Sequence, residues 1–134
     1  MTSLGKCPYE FLETITVRDL QQGRLKYTEM ALKRLQSLGL DDPDVLHYVK
    51  VRVLPTGAHA AIVTLSLMPY GEVAYNDTVA VDAPSWLRLL PAILTYIYGA
   101  LGPAVGSRVV RRNAARMMEW LDSVASVYPS VGTS

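Results

Sequence analysis

The stretch VLHYVKVRVLPTGAHAAIVTLSLMPYG, residues 45–71, decides the fold. Val45, His47, Val49, Val51 and Val53 fall on one side, and Leu46, Tyr48, Lys50, Arg52 and Leu54 on the other. That two-residue period belongs to a strand with one buried face. Pro55-Thr56-Gly57 reads as a turn. Ala58 to Met68 reads as a second strand, apolar on both faces for most of its length and therefore central. Pro69-Tyr70-Gly71 turns the chain again, and Val73 to Val81 makes a third strand that Asn76-Asp77 could bend. Short connections between successive strands predict a three-stranded antiparallel meander.

Upstream, Val17, Leu20, Tyr27, Ala31, Leu35 and Leu38 recur at helical spacing. Thr16 can cap that helix, with Asp19 three residues on. Gly39-Leu40 suits a left-handed C-terminal cap, so residues 17–38 are predicted to be one helix, with Gly23 its weak point. Residues 1–15 read as an arm, with a short extended piece around Phe11–Ile15. Downstream, a helix runs through Trp86, Leu89, Leu90, Ile93, Leu94 and Ile97 and ends near Gly99 to Pro103, with Pro84 at its start and Pro91 inside it. Ser107 caps a last helix from Arg108 to about Val127, which Pro129 ends. The expected fold is α+β: an N-terminal helix, the meander, and two C-terminal helices packed on the sheet. The expected division is an arm over 1–15, a single domain over 16–128 and a tail over 129–134.

At 134 residues the chain suits one domain, and half its residues are apolar while 19% are charged. Ordinary soluble domains carry about 25% charged residues, so the surplus apolar surface needs a cover, most commonly a subunit interface. The uncharged run Leu89–Ser107 has the length of a bilayer span, but Pro91, Pro103 and three glycines break it. A membrane role is therefore disfavoured and a homo-oligomer expected. The N-terminus lacks a signal-peptide pattern, which points to the cytoplasm, or to a virion for a coat-like protein. Low Asn and Gln counts hint at a hot habitat.

The chemistry-bearing motifs are sparse. Cys7 is the only cysteine, His47 and His59 have no ligand set at metal spacing, and no phosphate loop, nucleophile elbow or paired-carboxylate motif occurs. No cofactor, metal or enzymatic activity is expected.

One feature exceeds what the fold requires. Arg108, Arg112 and Arg116 are spaced i, i+4, i+8, and Arg111 flanks them, so the four share one broad helix face. Like charges at this spacing destabilise a helix. They also sit in the half nearest the positive end of its dipole. Arginine forks suit phosphate. The alternative is neutralisation by Glu10, Glu13 or the aspartates 41, 42 and 44, within the chain or across a subunit contact. Tyr48, Lys50 and Arg52 add an aromatic–basic row on one strand face, the kind that stacks bases and holds phosphates, although an ordinary solvated face has the same composition.

The order helix, three strands, helix resembles the topology of the double-stranded RNA-binding domain, whose members carry a basic cluster where the helix after the sheet begins. Here that position reads Ala83-Pro84-Ser85-Trp86-Leu87-Arg88, with one cation. The likeness is one of topology alone, and no membership is assigned. The functional expectation is a non-enzymatic, self-associating subunit that binds or packages DNA or RNA through Arg108, Arg111, Arg112, Arg116, Tyr48, Lys50 and Arg52. The alternative is an adaptor or structural subunit whose arginines pair with an acidic partner.

Overall fold

The computed structural model describes residues 8–128. Cys7 and the tail 129–134, Pro129 included, lie outside them. The chain runs β1 (Tyr9–Thr16), α1 (Val17–Gly23), α2 (Lys26–Ser37), β2 (Leu46–Gly57), β3 (Ala60–Leu67), a 3-10 turn (Pro69–Gly71), β4 (Tyr75–Asp82), α3 (Trp86–Leu101) and α4 (Pro103–Val127). It is an α+β fold with one antiparallel sheet in the order β1-β2-β3-β4.

The meander forms as its periodicity predicts, and a fourth strand joins it. β1, drawn from the segment read as an arm, pairs antiparallel with β2 from Tyr9↔Val53 to Thr16↔Leu46. Both β2 and β3 are therefore interior strands, and the topology departs from helix, three strands, helix. The first hairpin closes later than expected. β2 continues through a bulge between Pro55 and Gly57, and the chain turns at Ala58-His59, where His59 takes a left-handed φ of 53°.

The predicted N-terminal helix is two helices. α1 opens with a capping box, in which the Asp19 amide donates to Thr16 Oγ1 at 3.1 Å and the Thr16 amide to Asp19 Oδ2 at 3.0 Å. It ends at Gly23, with Arg24 left-handed at φ 52°. Thr28 Oγ1 then accepts the Leu25 amide at 2.9 Å and starts α2. Gly23 is needed there: a Cβ would lie 2.7 Å from the Thr28 side chain. At the far end, Gly39 has φ 71° and the Leu40 amide donates back to the Leu35 carbonyl at 2.9 Å, the cap its sequence predicts.

The helices cover one face of the sheet. The inward rows of the interior strands, Val49, Val51, Val53, Ala61, Val63, Leu65 and Leu67, are buried with Leu35 of α2, Ile93 and Ile97 of α3 and Val109 and Met117 of α4. Most of the apolar surface of α3 thus enters this chain's own core. No helix among the described residues is long and apolar enough to cross a membrane. The last helix begins at Pro103, five residues before its predicted start, because Gly102 at φ 90° reverses the chain and proline occupies the first turn. Gly106 lets α4 approach α3, since a Cβ there would lie 3.0 Å from the Tyr98 Cα. Gly106→Ala should cost about 1–3 kcal/mol in urea unfolding, as overpacking does. Gly99→Ala, with open space at its Cβ, should be neutral or stabilise by up to about 1 kcal/mol.

Candidate functional site

The arginine row meets the sheet at β1. That strand turns Phe11, Glu13 and Ile15 toward the helices, so a carboxylate falls in an otherwise apolar row, and Glu13 is 1% exposed. A buried carboxylate costs several kcal/mol unless paired and hydrogen-bonded. α4 supplies the pairing. Arg112 Nη1 donates to Glu13 Oε2 at 3.1 Å, and Arg108 Nε lies 3.6 Å from the same oxygen. Arg108 Nη2 reaches the Thr14 carbonyl at 2.9 Å and Asp19 Oδ2 at 3.5 Å. Arg108 Nε is buried without a hydrogen-bond partner, held by charge alone. The Thr14 amide donates to Glu13 Oε2 at 3.1 Å. One acid and one arginine therefore satisfy both backbone groups of Thr14 on an edge strand, where open groups invite pairing with other chains.

Below this cluster, Tyr9 donates its hydroxyl to buried Asn113 at 3.2 Å, and the Asn113 amide donates to the Val109 carbonyl at 3.1 Å. Burial holds the Tyr9 phenol's pKa above its ordinary value, and the nearby Arg116 guanidinium offsets part of that effect. Arg116 and Arg111 are exposed and form no ion pair among the described residues. Five residues apart, they project about 140° from each other around a helix. The four arginines therefore do not act as one row: Arg108 and Arg112 are neutralised between two that point elsewhere. The dipole conflict also lessens, because Arg108 is the sixth residue of α4 rather than the first. Of the carboxylates expected to compete for them, Glu13 does so. Glu10 is engaged on the other face, and Asp44 pairs with Arg18 at 3.6 Å. Asp19, already the capping residue of α1, was not foreseen as a partner.

Tyr48, Lys50 and Arg52 lie on the sheet face away from the helices, so they and the α4 arginines do not converge. Lys50 Nζ lies 3.1 Å and Arg52 Nε 3.6 Å from Glu10 Oε2 on β1. A Thr64–Thr78 hydroxyl contact at 3.1 Å continues this polar surface.

A cleft of about 290 Å³ lies elsewhere, where the start of α2, the end of α3 and β4 meet. Lys26, Tyr27, Tyr75, Asp77 and Tyr96 line it together with Leu25, Gly99 and Ala100. These residues come from three distant segments and form no motif. The one legible signal was Asp77, whose position relative to Tyr75, Val79 and Val81 puts an acid on the helix-facing side of a strand. No family model, curated protein or solved structure matches the chain.

Separate substitutions should divide the arginines. Glu13→Gln and Arg108→Ala are expected to lower unfolding free energy by about 2–3 kcal/mol. That is less than the 3–5 of a wholly buried pair, because Arg112 is 60% exposed. Arg111→Ala and Arg116→Ala should stay within about 0.5 kcal/mol of the parent, all measured by urea denaturation.

Proposed function

We propose that the protein is a non-enzymatic, self-associating structural subunit that pairs with a second copy through the solvent face of α4. The observation that carries this reading is the outward stripe Arg111, Ala115, Met118 and Asp122, all exposed. Its spacing of four, three and four keeps the stripe on one side of the helix. A cation stands at one end, an anion at the other, and a small and an apolar residue lie between. When two such helices pack antiparallel about a two-fold axis, each Arg111 faces the other copy's Asp122, and Ala115 lets the backbones approach. Self-complementarity of this kind is what a two-fold contact demands. Leu87, 84% exposed, extends the apolar part of the surface, sharing a shallow cleft with Trp86, Leu90, Met118, Leu121 and Asp122.

Light scattering coupled to size exclusion tests this. A dimer is expected for the parent. Arg111→Asp and Asp122→Arg alone should each weaken it by placing like charges together, and the double exchange should restore it. A parent that stays monomeric at high micromolar concentration, or singles that match the double, would end the proposal.

A nucleic-acid-binding or packaging role is the second reading, favoured by the absence of ion pairs at Arg111 and Arg116 among the described residues. With two phosphate contacts rather than four, log affinity for duplex DNA should fall against log salt with a slope of about −2 per subunit. No retention of DNA or RNA at low salt removes it.

A further inference from the structure

Both edge strands place an acid on the helix-facing side of the sheet, Glu13 on β1 and Asp77 on β4. Inward charges on edges discourage sheet-to-sheet association, which accounts for an acid at either place. Their surroundings differ. Glu13 has two guanidinium groups, whereas Asp77 forms no ion pair among the described residues and accepts one hydrogen bond, from the Tyr96 hydroxyl at 2.9 Å. Three tyrosines line one cleft with that carboxylate, which is exposed. Tyr75 packs against Tyr27 with ring centroids 5.3 Å apart and planes tilted by 54°, and Tyr27 is itself buried in the core while Tyr75 is partly buried. Tyr96 stands on the α3 side, and the Tyr27 hydroxyl is anchored to the Leu65 carbonyl at 3.3 Å. The phenols of Tyr27 and Tyr96 stay protonated well into alkaline conditions. Burial is the main cause, and the Asp77 charge adds to it in both.

Aromatic faces around a carboxylate attract cations whose charge is spread over methyl groups, because such cations lose little hydration on entering. We infer that this cleft binds a small methylated ammonium compound, with Tyr75 and Tyr96 as walls, buried Tyr27 beneath Tyr75, and Asp77 as the counter-charge. Its volume, about 290 Å³, lies at the lower end of ligand pockets and suits a free cation of few heavy atoms. Lys26 also lines the cleft, a like charge that lowers the affinity for a cation.

The full chain is titrated with tetramethylammonium, choline and the neutral isostere 3,3-dimethylbutanol, followed by chemical-shift changes at residues 75–77 and 96–100. The expected result is saturable binding of both cations, with the neutral isostere at least about 5-fold weaker, the preference that cation–aromatic attraction confers. Asp77→Asn and Tyr75→Leu should each weaken binding about 5-fold or more, while Lys26→Met should strengthen it by about 2-fold. Circular dichroism and thermal melts of each variant confirm that it folds. Equal binding of the isostere, no saturation by either cation, or weaker binding in Lys26→Met overturns the proposal, the last because removing a like charge cannot weaken a site that holds its ligand by attraction to the ligand's positive charge. A short peptide bearing trimethyl-lysine is the second arm, and binding of the peptide without choline overturns the free-molecule assignment.

Discussion

A carboxylate under a helix is the constraint from which the rest of the architecture follows. Glu13 enters the apolar row of β1 at a point where α4 must lie over it, so α4 has to bring a cation to that spot. Arg108 and Arg112 both do. Arg108 then spans further, to the Thr14 carbonyl and to Asp19, which already caps α1. One network thus locks an edge strand, the first helix and the last helix into a single arrangement. Tyr9, Asn113 and Trp120 continue the same seam in mostly neutral contacts, with Tyr9 and Trp120 rings 5.8 Å apart.

The network also explains how a four-stranded sheet with one bare face avoids extension at its β1 edge. Thr14 has both its backbone groups bound by side chains, and the Thr16 amide is taken by Asp19. Outward from the helices, Glu10, Lys50 and Arg52 form a charged strip across β1 and β2. Apolar Leu12, Leu46 and Tyr48 are exposed on that same face. The opposite edge keeps its acid, Asp77, in a different setting, among aromatic rings rather than guanidinium groups. The two edges solve one topological problem with different chemistry, and only one of them leaves a charge available to a ligand.

Some features were legible because their physical cause is local. The alternation in β2, the apolar run that makes β3 an interior strand, the Thr16–Asp19 cap and the Gly39 cap each depend on residues within a few positions, and each stands as read. β1 was obscured because Glu13 interrupts its inward apolar row while Leu12 is exposed on its outward side, so the two-residue period is spoiled in both registers. The break after Gly23 was hidden because α1 and α2 keep compatible apolar spacing across it. The early start of α4 did leave a trace, a proline directly after a glycine, but the same pair reads equally well as the end of α3.

By itself the sequence determined the class of fold, the meander and the two closing helices, since periodicity and turn chemistry act over short range. It also placed four arginines on one side of a helix and offered Glu13 among their possible partners. Only the tertiary structure decided which arginines are neutralised, that Lys50 and Arg52 face away from them, and that three tyrosines and an aspartate share a cleft. Those outcomes depend on residues 19 to about 100 positions apart coming within a few ångströms. Charge balance and cavity shape are set by that closeness, and no spacing along the chain encodes it.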